Sequence, residues 1–189
     1  HYLKKAGLQR PLQDIILHPL NQHTPSQEIS GYLKALSEGK NIGVISEAGC
    51  PGVADPGAEV VAIAHERHIR VIPLVGPSSI LLALMASGFN GQSFTFHGYL
   101  PKERSERIKK LKELEKATQK GQTQLFIETP YRNTHLLDDI LQTCESTTLL
   151  CIACDITLPT EFIKTRRIAE WKKHIPDIHK KPTIFLVYK

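Results

Sequence analysis

Ser46-Glu47-Ala48-Gly49-Cys50-Pro51-Gly52-Val53-Ala54-Asp55-Pro56-Gly57 carries three glycines and two prolines within twelve residues. It follows the apolar run Asn41-Ile42-Gly43-Val44-Ile45 and precedes a helical pattern from Ala58 to Arg67. Strand, rigid loop and helix in that order predict an α/β fold. In open α/β sheets the loop at the carboxyl end of a parallel strand holds the ligand. Glycine lets a backbone approach a ligand closely, and proline fixes φ so that the loop is set in advance. A plain strand-to-helix turn needs one glycine and one capping residue, so this stretch reads as a ligand loop.

The neighbouring segments extend the pattern. Ile69 to Val75 reads as the next strand, and Gly76-Pro77-Ser78-Ser79 as a tight turn into an apolar helix, Ile80 to Ser87, ended by Gly88. Such a βαβα run predicts a parallel sheet with crossover helices. Upstream, Leu12 to Leu17 is a strand candidate. Thr24-Pro25-Ser26-Gln27 reads as a capping box opening a helix with Ile29, Leu33 and Leu36 on one face. Phe89 to Gln92 reads as a hinge, which divides the chain into residues 1–92 and 93–189. In the second part, strands are expected at Phe94–His97, Gln124–Glu128, Thr148–Cys154 and Thr183–Tyr188. Helices are expected at Lys102–Lys120, after Thr129-Pro130, and at Ile168–His174. The fold class is therefore α/β, with two domains, each a mostly parallel or mixed sheet flanked by helices.

A chain of 189 residues can bury a substantial core. No apolar run approaches the ~20 residues of a membrane span, and no signal peptide is visible. The chain opens at His1-Tyr2-Leu3-Lys4-Lys5 without a methionine, in what reads as the last turn of a helix ended by Gly7. Further residues are expected before it. The net charge is +5 and the pI near 9.0, compatible with an RNA partner and with none. Cys151 and Cys154 have the CxxC spacing of a zinc site. They also sit in an apolar strand pattern, where residues three apart point to opposite faces. No metal is therefore expected, and Cys50, Cys144, Cys151 and Cys154 read as reduced thiols of a cytoplasmic protein.

Several blocks, taken in order, resemble one family. Ser46-Glu47-Ala48-Gly49-Cys50-Pro51 followed by Asp55-Pro56-Gly57 is similar to the signature of the ribosomal small-subunit methyltransferase I branch of the tetrapyrrole methylase superfamily. Ile69 to Ser79, Phe96-His97-Gly98-Tyr99-Leu100-Pro101, and Leu125 to Arg132 resemble its later blocks. The resemblance implies two α/β domains with an S-adenosylmethionine site in the cleft between them. It also implies methyl transfer to a ribose 2′-hydroxyl of small-subunit ribosomal RNA by a homodimer. Three features depart from the family pattern. Its opening strand and Pro/Gly-rich loop, one wall of the cofactor site, are not in this sequence. Glu47 stands where Asp is usual, and Cys50 where Thr is usual. The family's acidic segment after the fourth strand corresponds to Asp155–Glu161. The two signature substitutions keep open a small-molecule acceptor, such as a tetrapyrrole, or a modified protein side chain. The missing wall keeps open a non-catalytic RNA- or cofactor-binding module.

Methyl transfer from a sulfonium asks the protein mainly to align donor and acceptor. Ala48, Gly49 and Cys50 can offer backbone groups to the methionine end of the cofactor, and Val53 an apolar wall. Ser78 and Ser79, at a helix start, either hold its carboxylate or cap the helix. A 2′-hydroxyl also needs a base or a positive group nearby. Glu47, Glu128 and Arg132 are the catalytic candidates, and Asp55 reads as a helix cap. Arg132 gains nothing from a helix dipole in a first turn, which favours a phosphate partner over a local one. A surface ion pair is the plainer reading for each charged candidate. The Lys102–Lys120 helix is either a solvated face or an RNA-facing lid built on Lys102, Arg104, Arg107, Lys109 and Lys110. Lys164, Arg166 and Arg167 form a second basic cluster.

Overall fold

The computed structural model describes Gly7, residues 11–46 and residues 49–189. The chain divides into two compact units that meet in sequence at Val75 and Gly76.

The first unit contains helices α1 (Ser26–Tyr32), α2 (Lys34–Ser37) and α3 (Ala58–Glu66). Ile29, Leu33 and Val60 form its buried centre, with Leu36, Val44 and Ile63 packed around them. The expected capping box is not made. Pro25 occupies the N-cap position, while Thr24 Oγ1 accepts the Asn21 amide at 2.9 Å. The hydroxyl is spent on closing the turn that delivers the chain to the helix. Leu12–Asp14 is a 3₁₀ turn where a strand was expected. Asn41 to Ser46 and Ile69 to Val75 form no paired strand among the described residues. Their apolar pattern suits a sheet, but a strand exists only through ladder bonds to a partner. Leu74 and Val75 are accordingly exposed, at 88% and 107%.

The second unit holds α4 (Ser79–Ser87), β1 (Phe94–Tyr99), α5 (Arg104–Thr118), β2 (Thr123–Ile127), α6 (Asn133–Thr143), β3 (Leu149–Cys154), β4 (Phe162–Arg167), α7 (Ile168–Trp171) and β5 (Thr183–Tyr188). The strands form one sheet in the order β1-β2-β5-β3-β4. Strands β1 and β2 are parallel, joined by the α5 crossover. The other pairings are antiparallel, so the sheet is mixed, one of the two expected forms. Alternation along β3 loads both faces. Leu150 and Ile152 join Leu111, Leu114, Leu137, Ile140 and Trp171 on one side. Cys151 and Ala153 join Ala83, Leu84 and Leu186 on the other. Cys154 lies with the first cluster and Cys151 with the second, the opposed placement that strand periodicity requires.

Strand β4 was not foreseen. Phe162-Ile163-Lys164-Thr165-Arg166-Arg167 is too charged to resemble a buried strand. It is an edge, where charged side chains are usual because they discourage pairing with another chain. Thr165 Oγ1 donates to the Ser87 carbonyl at 2.8 Å and ties this edge to α4.

Candidate functional site

The described part of the ligand loop is closed by its own backbone. The Gly52 amide donates to Pro56 O at 3.3 Å, and the Val53 amide to Cys50 O at 3.2 Å. Gly49, Gly52 and Gly57 have φ of 74°, 77° and 139°, values that glycine adopts at little cost. A Cβ built on Gly57 would lie 3.2 Å from the Gly52 nitrogen, so the two arms of the loop touch through glycine. A Cβ on Gly49 would meet nothing within 4 Å, which leaves open space against the main chain there. Val53 is 46% exposed on the same loop. Gly57, not Asp55, is the N-cap of α3, and no side chain caps that helix. Glu47 and Ala48 lie outside the described residues.

In the second unit, Ser78 is the N-cap of α4, yet its hydroxyl makes no capping hydrogen bond. Its carbonyl accepts the Leu82 amide at 2.9 Å. The amides of the first turn, from Ser79 onward, have no intrahelical acceptor. Ser78 is half-buried and Ser79 exposed. The plain capping role therefore does not account for Ser78.

Glu128 follows β2 at its carboxyl end and is 5% exposed. Its Oε1 accepts the Thr129 amide at 2.6 Å and Arg132 Nη2 at 2.5 Å. The structure thus brings Glu128 and Arg132 together as an ion pair at one end of the sheet. Of the two readings for Arg132, an outside phosphate and an ion pair, the structure shows the plainer one, since its guanidinium has a carboxylate four residues back. Its side chain remains 31% exposed. Asp155, after β3, stands at the same end of the sheet, since Cys154 pairs with Thr183 and Ile127 with the adjacent Ile184. It is buried, adopts φ 51°, and accepts Thr160 Oγ1 at 2.9 Å. Nothing local in the sequence distinguished it from a surface turn residue.

His97, in the Phe96–Pro101 block, has Nε2 2.7 Å from Gln124 Oε1. Partial burial lowers its pKa from the usual value, against the opposing effect of that hydrogen bond. The next residue, Gly98, has φ 62° and marks the register shift between β1 and β2. Burial raises the pKa of Cys151 and Cys154 and pushes Cys144 up to about 12, so these three thiols are inert.

Both arginines at the start of the basic helix are held by ion pairs. Asp139 of α6, 3% exposed, receives Arg104 Nε at 2.8 Å and Arg107 Nη2 at 2.6 Å. Arg107 also donates to the carbonyls of Pro101 and Lys102. Both arginines are braces between α5 and α6. They line a cavity of about 230 Å³ with His135, Asp138 and Gln142, away from the predicted site residues. Among the described residues no group of three or more His, Cys, Asp or Glu could hold a metal ion, and no helix is long and apolar enough to cross a membrane.

Comparison with known proteins adds the following. The family model for tetrapyrrole (corrin/porphyrin) methylases matches residues 8–171. The Ribosomal RNA small subunit methyltransferase I of Buchnera aphidicola subsp. Schizaphis graminum is 33% identical over 175 residues, covering 91% of this chain and 60% of that protein. The protein of the same name from Escherichia coli O157:H7 is 31% identical, covering 90% of this chain and 60% of that protein. This chain thus spans less than two thirds of the length of these relatives. Among solved structures, the methyltransferase CobJ superposes with TM-score 0.65 at 21% identity, over 99% of this chain and 80% of that one. Uroporphyrin-III C-methyl transferase from Thermus thermophilus, complexed with S-adenyl homocysteine, gives TM-score 0.50 at 16% identity, over 86% and 73%. At such identities the structural matches speak for the fold alone.

Proposed function

The chain belongs to the tetrapyrrole (corrin/porphyrin) methylase family, and from that premise we propose that it is an S-adenosylmethionine-dependent methyltransferase acting on a ribose 2′-hydroxyl of small-subunit ribosomal RNA. One contrast carries the choice of acceptor. Relatives named for ribosomal RNA match at 31–33% identity over nine-tenths of this chain. The methyltransferase CobJ and a uroporphyrin-III C-methyl transferase share its fold at 21% and 16% identity. A homodimer working in the cytoplasm, where ribosomes are made, is part of the same reading.

Features within each unit, taken separately, support the cofactor reading. Gly49 has open space beside its main chain, so Ala48, Gly49 and Cys50 would present backbone groups to the methionine portion. Val53 would supply an apolar wall. Ser78, whose hydroxyl the α4 cap does not use, and Ser79 would receive the carboxylate at the helix start. When bound, S-adenosylmethionine supplies a methyl group already activated by its sulfonium. The protein's own task is then to hold the acceptor hydroxyl in line and to accept its proton. Glu47 is the carboxylate we assign to that proton. Glu128 holds Arg132, and the guanidinium it orients would meet a phosphate beside the acceptor ribose.

The test is a map of ribose methylation in small-subunit RNA from cells with and without the gene. Loss of one methyl group, restored by complementation, is the expected outcome. An unchanged map rejects the RNA reading and returns the small-molecule acceptor. Calorimetry of the intact protein with S-adenosylmethionine tests the cofactor separately, and no binding heat would sink the enzyme assignment.

A further inference from the structure

We propose that the edge strand β4 and the turn after α7 grip RNA along the sheet edge, through Lys164 and Arg166 on one face of the sheet, Arg167 at the strand's end on the other, and Lys172 and Lys173 beyond α7; this rests on the ribosomal-RNA reading above. Residues 161–173 contain these five cations against two carboxylates, Glu161 and Glu170. None of the five enters an ion pair among the described residues. Glu170 is occupied by the Arg167 amide at 2.9 Å, and Glu161 by the Thr157 amide at 2.7 Å. The contrast is with α5, where Asp139 holds Arg104 and Arg107, and Glu113 lies 3.6 Å from Lys110. Lys102, Lys109, Lys112, Lys116 and Lys120 also stand outside these ion pairs, but among four carboxylates, Glu103, Glu106, Glu113 and Glu115, whereas the sheet edge sets its cations against two.

The edge is also built for a polyanion. Lys164 and Arg166 lie opposite Ile152 and Leu150 in the ladder, so both point to the α5–α7 side. The Arg166 guanidinium lies over the Trp171 ring, 5.2 Å from its centroid. Trp171 is 1% exposed, is flanked edge-on by Phe162, and donates Nε1–H to Leu150 O at 2.9 Å. The platform under the guanidinium is thus held by packing and by a hydrogen bond. Arg166 is half-buried, yet its guanidinium donates to no protein acceptor among the described residues. A planar guanidinium held this way presents its donors to phosphate and its free face to a base. Lys172 and Lys173 follow Trp171 directly and are exposed. Ile175 is the one large apolar side chain exposed in residues 161–175, too little for an amphipathic membrane face.

Fluorescence anisotropy of the intact protein with a labelled single-stranded fragment of small-subunit ribosomal RNA, over a salt series, tests the proposal. Each lost phosphate contact lowers the slope of log K against log[salt] by about 0.7. The Lys164→Ala/Lys172→Ala/Lys173→Ala protein should lose about 2 from that slope and bind about 100-fold more weakly at 0.1 M salt. Arg166→Gln should weaken binding as well, with the thermal midpoint checked to show that Trp171 remains packed. The control Lys102→Ala/Lys109→Ala/Lys112→Ala removes equal charge from exposed positions in and just before α5 and should bind as wild type. Equal losses in both triples, or none in the first, overturn the assignment of this face. Binding of the wild type to phosphatidylserine vesicles but not to RNA overturns it in favour of a membrane surface. If the face fails while the wild type still methylates RNA, the proposed function stands. If the wild type neither binds nor methylates RNA, the function itself has failed.

Discussion

Replacing Gly57 by alanine probes the ligand loop at its tightest point. Gly57 has φ 139° and ψ −25°, a state that L residues rarely adopt. Its new Cβ would sit 3.2 Å from the Gly52 nitrogen and 3.4 Å from Val44 Cγ1. That nitrogen is the donor that closes the loop onto Pro56 O at 3.3 Å. Holding alanine in such a backbone state costs about 1–3 kcal/mol, and a lost closing bond about 1 kcal/mol more. The total is about 2–4 kcal/mol, divided between lower stability and a loop that must re-order to bind. If half of the upper value falls on binding, S-adenosylmethionine binds about thirtyfold more weakly. Gly31→Ala is the matched control. It lies in α1, and its Cβ would meet nothing within 4 Å. It should gain about 0.4–1 kcal/mol by reducing the freedom of the unfolded chain. Calorimetric titration with S-adenosylmethionine and amide hydrogen exchange over residues 49–57 read both effects. A Gly57→Ala protein with unchanged affinity and unchanged exchange would refute the claim that this loop is a built ligand wall.

Asp139→Ala should destabilise the second unit by about 3–5 kcal/mol, because it leaves the buried Arg107 guanidinium without its carboxylate; urea unfolding followed by Trp171 fluorescence measures it. Arg132→Ala should cost about 1–3 kcal/mol by stranding the buried Glu128 carboxylate, and Arg132→Lys should recover part of the stability in the same unfolding experiment. The pKa of His97 is lowered chiefly by burial. Below its ordinary value near 6.5 the unfolded chain takes up a proton that the native state resists, so stability should fall as pH drops from that value through the depressed folded one. Urea midpoints measured from pH 8 to pH 5 should show that loss in the wild type and less of it in His97→Gln. Cys50 is half-buried while Cys144, Cys151 and Cys154 are buried with raised pKa values. A thiol reagent at pH 8 should therefore modify Cys50 first, and S-adenosylmethionine should slow it. Equal rates at all four, or no slowing, would count against the loop as the cofactor site.

Strands of the second unit were legible where apolar runs are short and continuous, as in Leu149–Cys154 and Thr183–Tyr188. A strand buried on both faces needs little polar alternation, and its sequence advertises this. Strand β4 was illegible because an edge uses Lys164, Arg166 and Arg167 where a central strand would use valine or isoleucine. The runs Asn41–Ser46 and Ile69–Val75 show the reverse error. Their composition suits extended chain, but pairing depends on residues distant in sequence, and no window around Val44 or Val71 contains that information. The glycines of the ligand loop were legible as a requirement for unusual backbone, and the φ values at Gly49, Gly52 and Gly57 meet it. That Ser78 leaves the α4 cap unmade was not legible, since hydroxyl orientation depends on the turn that precedes the helix.

Charge was the least legible property, and the reason bears on function. Counting cations along Lys102–Lys110 suggests a strongly basic surface. Asp139 lies 32 residues from Arg107 in sequence and draws two of those cations, Arg104 and Arg107, into ion pairs in the fold. Glu128 cancels Arg132 in the same way, four residues apart but across a strand end rather than along a helix. A methyltransferase of a structured RNA needs two kinds of positive group. Some arginines must be held rigidly by carboxylates, so that a guanidinium has one orientation when a phosphate arrives. Other cations must stay unpaired, so that affinity comes from counterion release. Under the proposed function, Arg132 on Glu128 would be of the first kind and the Lys164–Lys173 edge of the second. The same +5 net charge spread evenly over the surface would supply neither.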